Sequence, residues 1–182
     1  MITAVVVGVF FASIFELSAV CLRYISASKE NVNSIECVQD RIEQLRGIDF
    51  ASLLDQAYMS VTPAVPAASP SPSPPQRRNL TVPSNASTLA QKATETVKIS
   101  TFSGGAATTP SITYTRAPGA LISATPFSDT NVAPTVSWTG GSSFPTTTAT
   151  VVVDVTYSWT STLGGINRTE TSSTIISAGT KK

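Results

Sequence analysis

Residues 1–22, MITAVVVGVFFASIFELSAVCL, are almost continuously apolar, with one acid, Glu16, and the first basic side chain at Arg23. At about 1.5 Å per residue, a helix of that length spans roughly 33 Å, close to the hydrocarbon thickness of a bilayer. A cleaved secretory signal would need a basic stretch ahead of the apolar run and a small-residue cleavage site behind it, and neither is visible. A retained membrane segment is therefore expected.

The apolar run does not end in a turn. From Arg23 to Arg46 there is no proline or glycine, and Ile25, Val32, Ile35, Val38, Ile42 and Leu45 recur at steps of three, four or seven. That spacing predicts a helical stripe. Lys29, Glu30, Glu36, Asp40, Arg41, Glu43 and Arg46 fall mostly elsewhere around the cylinder. The economical reading is one continuous helix of about 45 residues, embedded in lipid at first and amphipathic later. Gly47 is its expected stop, and Asp49 can cap one further short turn through Phe50, Leu53 and Leu54. Cys21 and Cys37 would then stand about 24 Å apart along the axis, too far for a disulfide. The stripe from Val32 to Leu45 is expected to receive a folded sheet and can also meet a neighbouring copy.

Three segments follow from these changes of texture: a helical region over 1–57, a Pro/Ser-rich linker over 58–78 and a β-rich domain over 79–182. Residues 61–78, VTPAVPAASPSPSPPQRR, are too polar and proline-rich for a core and read as an extended spacer. Beyond Asn79 the chain turns to Thr, Ser, Val, Gly and isolated aromatics, the composition of β-structure. The clearest strand is Val151 to Trp159, where Val151, Val153, Val155, Tyr157 and Trp159 alternate with Val152, Asp154, Thr156 and Ser158. Gly164-Gly165 marks a turn, and Asn167 to Ile176 can return as the hairpin partner. Thr96–Phe102, Ser111–Arg116, Leu121–Ala124 and Thr135–Trp138 are weaker strand candidates. The expected fold class is α+β, a long helix packed on a small antiparallel sheet, because so Ser/Thr-rich a module has few large apolar residues of its own.

Composition narrows the chemistry. Charged residues are 13% of the chain and the net charge is +1, which excludes a nucleic-acid binder held by phosphate contacts. The absence of histidine removes the commonest general base and metal ligand. No cofactor, metal or catalytic residue is expected. Asp129, Asp154 and Glu170 are the only acids after residue 95. Asp154 and Glu170 can face each other across the terminal hairpin, or meet Arg168 and Lys98, and a surface charge pair is the expectation rather than a catalytic dyad. The triplets beginning at Asn79, Asn85 and Asn167 fit the glycosylation pattern, but in so Ser/Thr-rich a chain they arise by chance.

Two segments carry a family resemblance. VVVGVFFASIF followed by SKENVNSIECVQDRIEQLRGIDFASL is similar to the helix of prepilin-type proteins. ATVVVDVTYSWTSTLGGINRTETSSTIIS resembles the terminal hairpin of minor pilins and type II secretion minor pseudopilins. In order and spacing the chain thus resembles the type IV pilin and pseudopilin superfamily.

The resemblance implies a structural subunit rather than an enzyme. Such a subunit is anchored single-pass in the inner membrane with a periplasmic head, then assembled into a pilus or pseudopilus through N-terminal helices. It also implies a basic leader upstream of Met1 and its removal by a prepilin peptidase; Glu16 lies too far along to be that family's leading glutamate. Its partners would be other pilin or pseudopilin subunits and inner-membrane lipid.

In the assembled helix bundle the small residues Gly8, Ala12 and Ala19 would allow close approach; Glu16 either meets a neighbour's amine or hydroxyl there or, six residues from the end of the apolar stretch, reaches the interface alongside Arg23. Arg23 and Lys29 follow the apolar run, which by charge alone points the C-terminus to the cytoplasm; the resemblance implies the opposite, the leader supplying the basic residues. The alternative reading is a single-pass protein that displays a β-rich adhesion or recognition domain and never polymerises.

Overall fold

The computed structural model describes residues 2–60, 89, 92–118 and 134–179. One helix, α1, runs unbroken over Ile2–Gly47, 46 residues. Two hydroxyls in its apolar stretch are satisfied internally: Ser13 Oγ and Ser18 Oγ each donate to the carbonyl four residues earlier, Val9 and Ile14, at 2.9 Å. A helix exposed to lipid needs this closure, because hydrocarbon offers no partner. The chain then makes two short helices, α2 (Phe50–Leu54) and α3 (Gln56–Ser60). Asp49 caps α2 by accepting from Ala51 N–H at 3.2 Å, as its position predicts, and Asp55 accepts from Ala57 N–H at 2.9 Å ahead of α3. Composition assigns residues 58–60 to the linker, yet they close α3, and Met59 lies in the core.

Five strands form one antiparallel sheet: β1 (Thr94–Ser103), β2 (Ala106–Arg116), β3 (Thr135–Thr139), β4 (Thr150–Thr160) and β5 (Asn167–Ser177), in the order β3-β2-β1-β4-β5. β1 and β2 join through Gly104-Gly105 and β4 and β5 through the turn holding Gly164-Gly165, and all four glycines have positive φ. Gly140, after β3, is the tightest: its φ is +79°, and a Cβ there would stand 2.6 Å from Thr109 Cβ. The expected strand Leu121–Ala124, the spacer 61–78 and the triplets at Asn79 and Asn85 lie outside the described residues.

Period two in β4 is obeyed throughout: Val151, Val153, Val155, Tyr157 and Trp159 are buried, and the residues between them are not. With Val97, Ile99, Ile112, Tyr114 and Ile176 from the other strands, they form the floor of the core. α1 lies across β4 and β5; Cys37, Val38 and Leu45 fill the contact, while Leu53 and Met59 of α2 and α3 complete the roof. Trp138 Nε1 donates to Gln56 Oε1 at 2.7 Å, tying β3 to α3. The opposite face of the sheet is hydroxyl-lined. One row of register partners across all five strands reads Thr135, Thr115, Thr96, Thr156, Thr171.

Candidate assembly surface

The helix is divided lengthwise between two environments. Ala27, at 5% exposure, is its first buried residue, and from there Ser34, Cys37, Val38, Arg41 and Leu45 meet the sheet. Everything before Ala27 whose burial is described is exposed, including Val5, Val9, Phe10, Phe15, Leu17 and Leu22. Gly8, Ala12, Glu16 and Ala19 are exposed as well, with nothing within 4 Å of a Cβ placed on Gly8. α1 is the one helix among the described residues long and apolar enough to cross a membrane.

The stripe read from the sequence is corrected in part. Val38, Leu45 and, partly, Ile42 pack on the sheet, but Val32 and Ile35 stay 52% and 44% exposed. Val32 stands nine positions before Arg41, and at about 100° per residue it faces directly away from it. The face that meets the sheet is centred on Ala27, Ser34 and Arg41, small or charged residues that an apolar-periodicity search passes over. The bulky apolar positions thereby fall into two sets. One is buried beneath the sheet; the other, Ile14, Leu17, Cys21, Ile25, Val32 and Ile35, forms an exposed seam that continues from the apolar segment up the back of the head.

Arg41 is one of the charged residues whose spacing sets them off the apolar stripe. It is fully buried, and its Nε donates to Glu95 Oε1 on β1. The Tyr157 hydroxyl donates to the same oxygen at 2.7 Å, and Arg116 Nη1 lies 3.8 Å from Glu95 Oε2. Arg41 Nη1 also donates to Gln44 Oε1 at 2.6 Å. One carboxylate is thus set between two guanidiniums under the helix, while Arg41 Nη2 and Arg116 Nε and Nη1 have no hydrogen-bond partner. Burial pushes the Glu95 carboxyl up, but the two arginines and the hydrogen bonds outweigh it and hold the group below the usual carboxylate range. The same burial drives the Tyr157 hydroxyl far up, so it stays a donor. Glu95, Arg116 and Tyr157 are aligned cross-strand neighbours on the apolar face, an alignment that strand register sets and residue spacing does not announce.

A second polar link fixes the other end of the interface. Glu30 accepts from Lys92 Nζ at 3.0 Å, from Ser161 Oγ at 3.2 Å and from Thr162 N–H at 3.2 Å. Burial again raises its carboxyl, and the bonds to Lys92 and Thr162 bring it below the ordinary value. Both carboxyls bind their protons more weakly folded than unfolded. The stability they contribute is therefore complete above the ordinary Glu pKa of about 4.3 and is lost as pH falls through the lower folded values. The urea midpoint of the full chain in detergent should fall on acidification below that range, and Glu95→Gln should flatten the fall; a midpoint that rises on acidification would contradict the arrangement.

The two cysteines are free, Cys21 exposed and Cys37 buried, and burial with the nearby Asp40 and Glu95 charges raises the Cys37 thiol to about 11. Asp154 and Glu170 do not meet. Asp154 points to the hydroxyl-lined face, accepting from Ser173 Oγ at 2.6 Å, with Lys98 opposite in register. Glu170 is the register partner of Tyr157, on the helix side. Parity along antiparallel strands puts the two acids on opposite faces. Among the described residues no group of three or more His, Cys, Asp or Glu is placed to hold a metal ion. No family model, curated protein or solved structure matches the chain.

Proposed function

We propose that the chain is a pilin-like structural subunit, anchored in the inner membrane by the N-terminal half of α1 before assembly into a type IV pilus or type II secretion pseudopilus. The observation that carries this reading is the seam. One uninterrupted helix presents apolar side chains from Ile14 to Ile35 on the side away from the sheet, while the head is fastened to its other side. A helix needed only as an anchor has no reason to keep Val32 and Ile35 bare beside its own folded domain, whereas a helix that packs among copies of itself does. The stripe of Gly8, Ala12, Glu16 and Ala19 lies on the Arg41 side of the helix, so a neighbour in a bundle would find small residues on one side and bulky ones on the other. The likeness of the terminal hairpin to that of minor pilins favours a minor component, with a periplasmic head.

Crosslinking tests assembly directly. Native Cys21 sits on the seam and Cys37 is shielded, so a thiol crosslinker applied to membranes should trap copies through Cys21. Val32→Asp and Ile35→Asp should abolish that product. Both sites are exposed, so each substitution should change head stability by no more than about 0.5 kcal/mol. A chain that stays monomeric at every concentration, with no product through Cys21, would instead support the display of a non-polymerising β-rich adhesion domain.

A further inference from the structure

The height of the head on its helix is set by contacts already described. β4 runs antiparallel to α1 and β5 parallel to it: Glu30 bonds Ser161 and Thr162 at the end of β4, whereas Arg46, Ile48 and Phe50 line a cavity with Ile175, Ile176 and Ser177 at the end of β5. The β4–β5 turn is therefore the end of the head nearest the apolar segment. Ser161 N–H donates to the Ile166 carbonyl at 2.9 Å and closes the turn, so Thr162 to Gly165 project beyond that pair. Glutamate side chains on a helix lean toward its N-terminus, and Ala27 is the first buried helix residue. The lower edge of the head thus stands at Ala27, four residues or about 6 Å above Arg23, where the apolar segment ends. The headgroup layer of a bilayer leaflet is about 5–8 Å thick.

What the turn offers at that height suits this layer. Ile166 is 60% exposed; outside α1, it and Ile175 are the large apolar side chains left strongly exposed among the described residues. Two residues beyond Ile166 is Arg168, half-buried with its Nε enclosed, and Lys92, with 43% of its side chain exposed, is joined to the same turn through Glu30. On the helix are Lys29 and Arg23, both exposed, with Arg23 two turns directly below Glu30. The acids nearby are Glu30, which offsets the charge of Lys92 by pairing with it, and Glu170, four residues beyond Ile166, so that against Lys92, Arg168, Lys29 and Arg23 the turn keeps a net positive charge. An exposed apolar side chain at the base of a turn, with positive charge in excess beside it, is the pattern that enters an anionic membrane interface.

We infer that the β4–β5 turn, through Ile166 with Lys92, Arg168 and Arg23, docks the head on the anionic headgroup surface of the same bilayer that holds residues 1–22. This rests on the membrane anchor in the proposed function. It gives the unassembled subunit a set orientation: the head sits on the surface with the hydroxyl-lined sheet face upright, and leaving the membrane breaks the turn's lipid contacts together with those of the helix.

Ile175 supplies the internal control. It is as exposed as Ile166, at 57%, but sits nine residues further along β5, about 30 Å away. The full chain is reconstituted in phosphatidylcholine–phosphatidylglycerol vesicles as Cys21→Ser with either Ile166→Cys or Ile175→Cys, each carrying a nitroxide. Collision with a water-soluble nickel chelate should be several-fold lower at 166 than at 175, and Lys92→Gln with Arg168→Gln should narrow that difference. A third sample labelled at native Cys21 reports the anchor. Equal nickel access at 166 and 175, with the Cys21 label in lipid, overturns the docking and leaves the anchor standing. A Cys21 label accessible from water overturns both.

Discussion

Replacing Glu95 with alanine should destabilise the head by about 3–5 kcal/mol, because it leaves two buried guanidiniums with no counter-charge. Arg41 is fully buried and Arg116 is 7% exposed, so water cannot take over the role of the lost carboxylate. Several of their nitrogens already lack a partner. The paired substitution Arg41→Met with Glu95→Gln should recover much of the loss. A hydrophobic or neutral replacement of a buried ion pair is often close to neutral, whereas removing one member is not. Urea unfolding of the full chain in detergent, followed by the fluorescence of Trp138 and Trp159, measures both. If Glu95→Ala cost less than about 1 kcal/mol, the cluster would not be dry and the helix would not seal it.

The second large effect concerns which side of α1 is fastened. Leu45→Ala, at a site of 0% exposure, should cost about 2–5 kcal/mol through lost burial and the cavity left behind. Val32→Ala, at 52% exposure on the opposite side, should change stability by about 0.5 kcal/mol or less. The comparison is internal, because both are apolar truncations in one helix. Similar costs at the two sites would mean that the sheet grips a different face. The pair also separates folding from assembly: Leu45 acts on the head alone, while Val32 matters only if copies associate.

Much of the architecture was legible because its causes are local. A proline-free run from Ile2 to Arg46, broken by no glycine but Gly8, has one low-energy backbone solution, and Gly47 and Asp49 end and restart it by backbone chemistry that depends on no distant residue. The alternation from Val151 to Trp159 admits one strand orientation relative to a core, and paired glycines with positive φ fold its hairpin. The exposed apolar half of α1 follows from hydropathy alone.

What the tertiary structure decided was rotation, height and parity. Periodicity established that α1 has an apolar side, but its apolar arc is wide, and the sheet chose the edge of it carrying Ala27, Ser34 and Arg41. That choice required a carboxylate delivered by β1 and a hydroxyl delivered by β4, residues 54 and 62 positions from their partners. No local signal carries such a pairing, since the stability of a buried charge depends on groups that only the completed fold brings within reach. The same holds for Asp154 and Glu170, whose separation is set by strand register, and for Glu30, whose three donors place the β4–β5 turn beside the end of the apolar segment. Residue type determined that one long helix is apolar enough to cross a membrane and that a Thr/Val-rich sheet folds beside it; only the packing of one on the other determined which side chains of the helix stay exposed.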